Sequence, residues 1–165
     1  MARSLRSKEA GIRRILCTIQ QGSLTSSQFR AAERALGESY RESLGTDDRT
    51  VVVWCEIPKG QSYTENKPST MSWVLAETED GLDPTRREHA MRALSQAWNS
   101  ITGAGPNDLM LALVDSALFS RYLDLNRARI RPAARPVFLL RTLTHLVASR
   151  LTRGHLAIAA NHPGS

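Results

Sequence analysis

Apolar and polar residues along the chain follow two periods that take turns in a fixed order. "ILCTI" (15–19) and "WVLAET" (73–78) are short β-rich runs, closing respectively toward Gly22 and Gly81. After each glycine the period changes to a helical one. Ala32, Leu36, Tyr40 and Leu44 recur on one helical face, and Met91, Leu94, Trp98 and Ile101 on another. "TSSQ" (25–28) reads as a capping box with Thr25 as N-cap and Gln28 reaching back. "DPTR" places Asp83 as N-cap and Pro84 at the first helical position, where a missing N–H is harmless. Gly45 and Gly103 fit helix ends, and the runs "TVVVWCEI" (50–57) and "LMLALVDS" (109–116) read as strands.

The order β-α-β therefore occurs twice, and the two copies match in register. Gly22 and Gly81 are 59 apart, as are Glu56 and Asp115, and Tyr63 and Tyr122. Inside the helices the spacing is 58, pairing Leu24 with Leu82, Leu36 with Leu94 and Tyr40 with Trp98. Two spacings that differ by one, each holding through a whole element, mark an internal duplication.

A β-α-β unit of this length makes a parallel strand pair with a right-handed crossover. Two units give an α/β fold with a four-stranded mixed sheet and two helices on one face. "VVVWC" and "LMLALV" are apolar on both sides, so the second sheet face also needs cover. Either the C-terminal segment or other subunits supply it. In that segment, Pro136 suits a first helical turn, Gly154 a stop, and Phe138, Leu139, Leu143, Leu146, Val147 and Leu151 an apolar face. The reading is a single domain over 1–165: repeat one at about 13–66, repeat two at about 72–125 and a C-terminal helical extension at about 132–165. The last residues add a short strand or stay mobile.

Charge changes the picture only at one end. The net +6 of the 165 residues is concentrated there: from Leu125 onward there are seven arginines and no acid. The segment has too few interleaved aromatics for base stacking, so nucleic acid is not an expected partner. No apolar run reaches the length of a membrane span, and no secretion signal is visible, so a cytoplasmic location and no membrane partner are expected. Cys17 and Cys55 lie inside strand-like runs and read as core residues. His89, His145, His155 and His162 are not spaced as metal ligands, and there is no phosphate loop, dinucleotide fingerprint or nucleophile elbow. Neither a metal nor a cofactor is expected.

The duplicated unit, with a helix starting just past a strand-end glycine and "KG" (Lys59-Gly60) after the second strand, resembles the tautomerase superfamily over roughly residues 13–125. That family includes 4-oxalocrotonate tautomerase and macrophage migration inhibitory factor, and its longer members are two fused units. The resemblance implies a homotrimer and a pocket at the head of the first strand, where the family carries an amino-terminal proline as base. Here that position is Arg13, and Ser72 in the second repeat; no proline precedes Pro58. The family's substrate arginines fall on Val51, Met110 and Ser23. A guanidinium is no general base.

The candidate residues follow from that pocket. Arg13 and Arg14 at its head suit an anion or a polarised carbonyl. Tyr63 and Tyr122, expected in equivalent turns, offer hydroxyls to a developing enolate. Glu56, at the end of a second strand like Asp115, is a candidate base. Arg121 suits a carboxylate, and Ser72 the head of the second pocket. Two functions are expected: an isomerase, lyase, hydratase or cyclase acting on a small carbonyl or enol substrate without the proline, or a non-catalytic oligomeric binding protein.

Overall fold

The structure is a computed structural model and describes residues 11–105 and 107–159, with the side chain of Ala159 excepted. Strand β1 (Ile12–Gln20) alternates, placing Ile15, Cys17 and Ile19 in the core. Helix α1 (Ser26–Leu44) starts behind Thr25 with both halves of the capping box formed, and stops at Gly45 in the left-handed region. Strand β2 (Arg49–Ile57) follows, then a small hairpin of β3 (Tyr63–Thr64) and β4 (Lys67–Pro68). Its two turn residues, Glu65 and Asn66, both take positive φ, as a tight two-residue hairpin demands. The second unit repeats the first: β5 (Ser72–Thr78), α2 (Pro84–Thr102) capped by Asp83, and β6 (Leu109–Asp115). Beyond it lie α3 (Ser116–Ala128), a single 3-10 turn (Pro132–Ala134), α4 (Arg135–Arg153) and β7 (Ala157–Ala159).

The main sheet runs β6-β5-β1-β2-β7. β1 pairs parallel with β2, β5 parallel with β6, and β1 antiparallel with β5, which gives the expected mixed sheet. The duplication is visible in the register itself. Arg13 pairs with Thr50 as Ser72 pairs with Leu109, each member displaced by the same step along the sequence. α1 and α2 lie against one face, and Trp54, Trp98, Tyr40, Leu36 and Leu94 fill the layer between them and the sheet. The Tyr40 hydroxyl donates to the Glu77 carbonyl at 2.8 Å, and the Trp54 indole donates to Glu33 at 3.1 Å. Cys17 and Cys55 are both free thiols.

The C-terminal end adds more than a helix. Its tail contributes a fifth strand: β7 runs parallel to β2, and the Trp54 N–H donates to the Leu156 carbonyl at 2.8 Å. Ser149 of α4 secures this junction, donating to the His155 carbonyl and accepting from the Ala157 N–H at 2.8 Å. His162 lies outside the described residues. The sequence reading gave no helix over 116–128. "SALFSRYLDLNRA" continues straight from β6, where the first unit instead turns into its hairpin. The likeness between the units therefore stops at Asp115.

Candidate functional site

Arg13 and Arg14 are neighbours on β1, so their side chains leave opposite faces of the sheet. Arg13 points to the helix side, where two of its three guanidinium nitrogens are engaged. Its Nε donates to Asp48 Oδ2 at 2.6 Å, and its Nη1 donates to Ser116 Oγ at 2.6 Å. Ser116 passes the contact on by donating to the Thr78 carbonyl at 2.9 Å, while the other Asp48 oxygen accepts from the Gly11 N–H. The hydrogen bond that Arg13 donates to Asp48 raises the Arg13 pKa further, so its charge is permanent. At the strand head sits a half-buried cation held by a carboxylate.

Arg14 points to the second face. It binds Glu77 in a two-pronged fashion, at 2.7 and 2.8 Å, with its backbone N–H adding a third bond, and its guanidinium lies 4.6 Å from the Phe119 ring centre. Burial pushes the Glu77 carboxyl up, but the Arg14 hydrogen bonds outweigh it and hold the group below its usual range.

The other candidates are dispersed. Tyr122 is not in a turn equivalent to that of Tyr63: it sits on α3 and lines a cavity, whereas Tyr63 is 61% exposed on the small hairpin. The reason is the change of direction after Asp115, where a helix replaces the hairpin. Arg121 projects from α3 into solvent. Glu56 accepts from Arg153 of α4 at 2.6 Å and lies 3.6 Å from His155, so its charge is spent on anchoring the C-terminal segment. Asp115 is held below its usual range by Arg87 first and the Gly81 N–H second. Ser72 stands at the start of β5, its N–H donating to Asp108. β1 and β5 are antiparallel, so Ser72 and Arg13 mark opposite ends of the sheet.

Only Arg14 and Tyr122 meet at one cavity. This space, about 450 Å³, lies between the second sheet face and the α3–α4 segment. Leu16, Val53 and Ile158 form its floor, and Leu123 and Leu139 are among the residues that close it. A second chamber of about 530 Å³ shares Leu16, Phe119, Tyr122 and Ile158 with it and reaches Trp73. Among the described residues no group of three or more His, Cys, Asp or Glu is placed to hold a metal, and no helix is long and apolar enough to cross a membrane.

Asp48, Glu77, Ser116 and Phe119 were missed by sequence reasoning. Asp48 had a signal, since parallel pairing of β1 with β2 brings the "DDR" before β2 beside the head of β1. Glu77 had none until the antiparallel register of β1 and β5 was known.

No protein-family model matches this chain, and no curated protein matches it. Solved structures do. Native Ps01740 aligns with a TM-score of 0.58 at 20% identity, covering 62% of this chain and 92% of that one. A symmetric trimer of Q0 fused 4-OT gives 0.56 at 21%, covering 62% and 84%. MIF2 of Leishmania major gives 0.54 at 14%, covering 65% and 90%. The chain thus shares the fold of these structures over its two β-α-β units, and adds a C-terminal segment that crosses the second face of the sheet.

Proposed function

We propose that this chain is an oligomeric small-molecule-binding protein on the tautomerase fold, working without proline-type chemistry. One observation carries the reading: the strand-head position is a half-buried Arg13 held between Asp48 and Ser116, where it lines neither of the two apolar cavities and accepts no proton. The remaining candidates do not converge on a reacting atom, while the apolar cavity under α3 and α4, with the chamber that adjoins it, has the build of a ligand site. A homotrimer belongs to the same proposal. Q0 fused 4-OT is a symmetric trimer, and this chain leaves Met110, Leu140, Val147 and Leu151 exposed for burial against further copies. The free cysteines suit a reducing compartment, and the cytoplasm is the proposed location.

An enol–keto assay with phenylpyruvate and 2-hydroxymuconate tests the chemistry. No turnover above the uncatalysed rate is expected; robust turnover overturns the reading, since a missing general base costs about 10²–10⁴-fold. Light scattering tests the assembly: a stable monomer near 18 kDa at micromolar concentration refutes the trimer. A second reading, an enzyme acting on a small carbonyl or enol, has one specific observation in its favour. Arg14 and Tyr122 line the same cavity, so a turnover lowered by Tyr122→Phe is its signature.

A further inference from the structure

The cavity under α3 and α4 has a chemistry that the fold resemblance does not explain. Its walls are almost wholly apolar, and its charged lining groups are Arg14, Arg127 and Arg135, with no carboxylate among them. Two of these come from the acid-free stretch after Leu125, so the cationic end of the chain supplies lining residues to an apolar space. Arg14 is neutralised by Glu77. Arg127 makes only a long 3.4 Å contact to Asp124, and Arg135 spends its Nε on the Ile130 carbonyl, leaving the terminal nitrogens of its fork. The second chamber extends the apolar surface past Phe119 and Tyr122 to Trp73. Two adjoining apolar spaces whose charged lining residues are all arginines are complementary to one kind of molecule.

We propose that this cavity binds a single-chain carboxylate amphiphile, its head on the Arg127 and Arg135 guanidiniums and its tail over Leu16, Val53 and Ile158. The proposal rests on the binding-protein reading above and names the ligand class of that site. The planar carboxylate matches the guanidinium fork, and burial of the tail supplies the non-directional part of the affinity. Electrostatics sets the preference: a neutral head loses the charge-assisted bonds, and a cationic head is repelled.

The test is calorimetric titration of the wild-type protein, in its own oligomeric state, with dodecanoate, dodecanol and dodecylamine below their micellar concentrations. Dodecanoate is expected to bind about tenfold or more tighter than dodecanol, and dodecylamine not at all. Arg135→Ala should weaken dodecanoate by about tenfold and leave dodecanol unchanged. Val53→Trp should fill the floor and abolish both; should that variant fail to fold, Leu139→Trp blocks the space from the exposed side of α4. Equal affinity for acid and alcohol, or dodecanoate binding untouched by Arg127→Ala and Arg135→Ala together, overturns the proposal. So does binding that appears only after dilution to protomers, which would assign the cavity to a second copy of the chain. The enol–keto assay decides the parent reading separately, so an inactive protein that ignores dodecanoate refutes the ligand class alone.

Discussion

Replacing Glu77 with glutamine removes one charge from the pair that closes the second face of the sheet, and the pair's geometry fixes how much stability should go with it. The Glu77 side chain is 5% exposed, whereas Arg14 is 38% exposed. Breaking a buried ion pair from one side costs about 3–5 kcal/mol, because the partner is left uncompensated. Here water reaches Arg14 and the Phe119 ring faces its guanidinium, so the loss is discounted to about 1–3 kcal/mol. For a chain of this size that is a fall in Tm of roughly 2–12 °C. The pH dependence is the sharper test. Glu77 has a folded-state pKa below its unfolded one, so its contribution is fully present above the ordinary glutamate value of about 4.3 and is lost as pH falls through the lower folded value. Urea melts at fixed protomer concentration should therefore show wild type and Glu77→Gln well separated at pH 7 and converging as pH falls below the ordinary glutamate value of about 4.3. A gap that does not narrow with acidification over the range in which the protein stays folded, or no gap at pH 7, refutes the assignment of the Arg14–Glu77 pair as a stabilising charge contact.

Arg13→Ala should cost about 1–3 kcal/mol in the same melts by taking the cation from Asp48, which keeps the Gly11 N–H, while leaving the enol–keto rate at background; a change in that rate would return Arg13 to the chemistry. Leu36→Ala, at a fully buried position between α1 and the sheet, should cost about 2–5 kcal/mol, and a smaller loss would mean that the core there is loosely packed. Thr25→Ala should cost about 1 kcal/mol through the lost capping box, and Thr25→Ser should restore most of it.

The two β-α-β units were legible because each is written in local terms. Thr25, Asp83, Gly45 and Gly103 cap the helices where their side chains and backbone require it, and the strands carry their own alternation. What happens after each unit was not legible. "SALFSRYLD" contains no N-cap donor bond and no first-turn acid, and its serine and aromatics suit a strand end as well as a helix. Its buried aromatic, Phe119, packs against Arg14 on the second face of the sheet, a contact between residues more than a hundred positions apart that no local pattern announces. The same non-local origin explains the site. Arg13 and Arg14 could be marked as strand-head cations, but only the register of β2 and β5 decides that each meets a carboxylate.

The divergence of the two units also decides what remains of the ancestral symmetry at the site. A duplicated unit supplies two equivalent strand heads, Arg13 and Ser72, at opposite ends of the sheet. At the first, Asp48 stands beside the head and pairs with it; the position one repeat later is Asn107, exposed and uncharged, beside Ser72. The charge pair was therefore kept, or acquired, at one end only. That end is also where α3 begins, and Ser116, its first residue, is the group that takes the other side of the Arg13 guanidinium. A helix that starts there closes the Arg13 head on one face and roofs the apolar cavity on the other, through Phe119, Tyr122 and Leu123. One element, the helix that follows β6 where the first unit has a hairpin, thus serves both faces: it holds the Arg13 head and lines the apolar cavity.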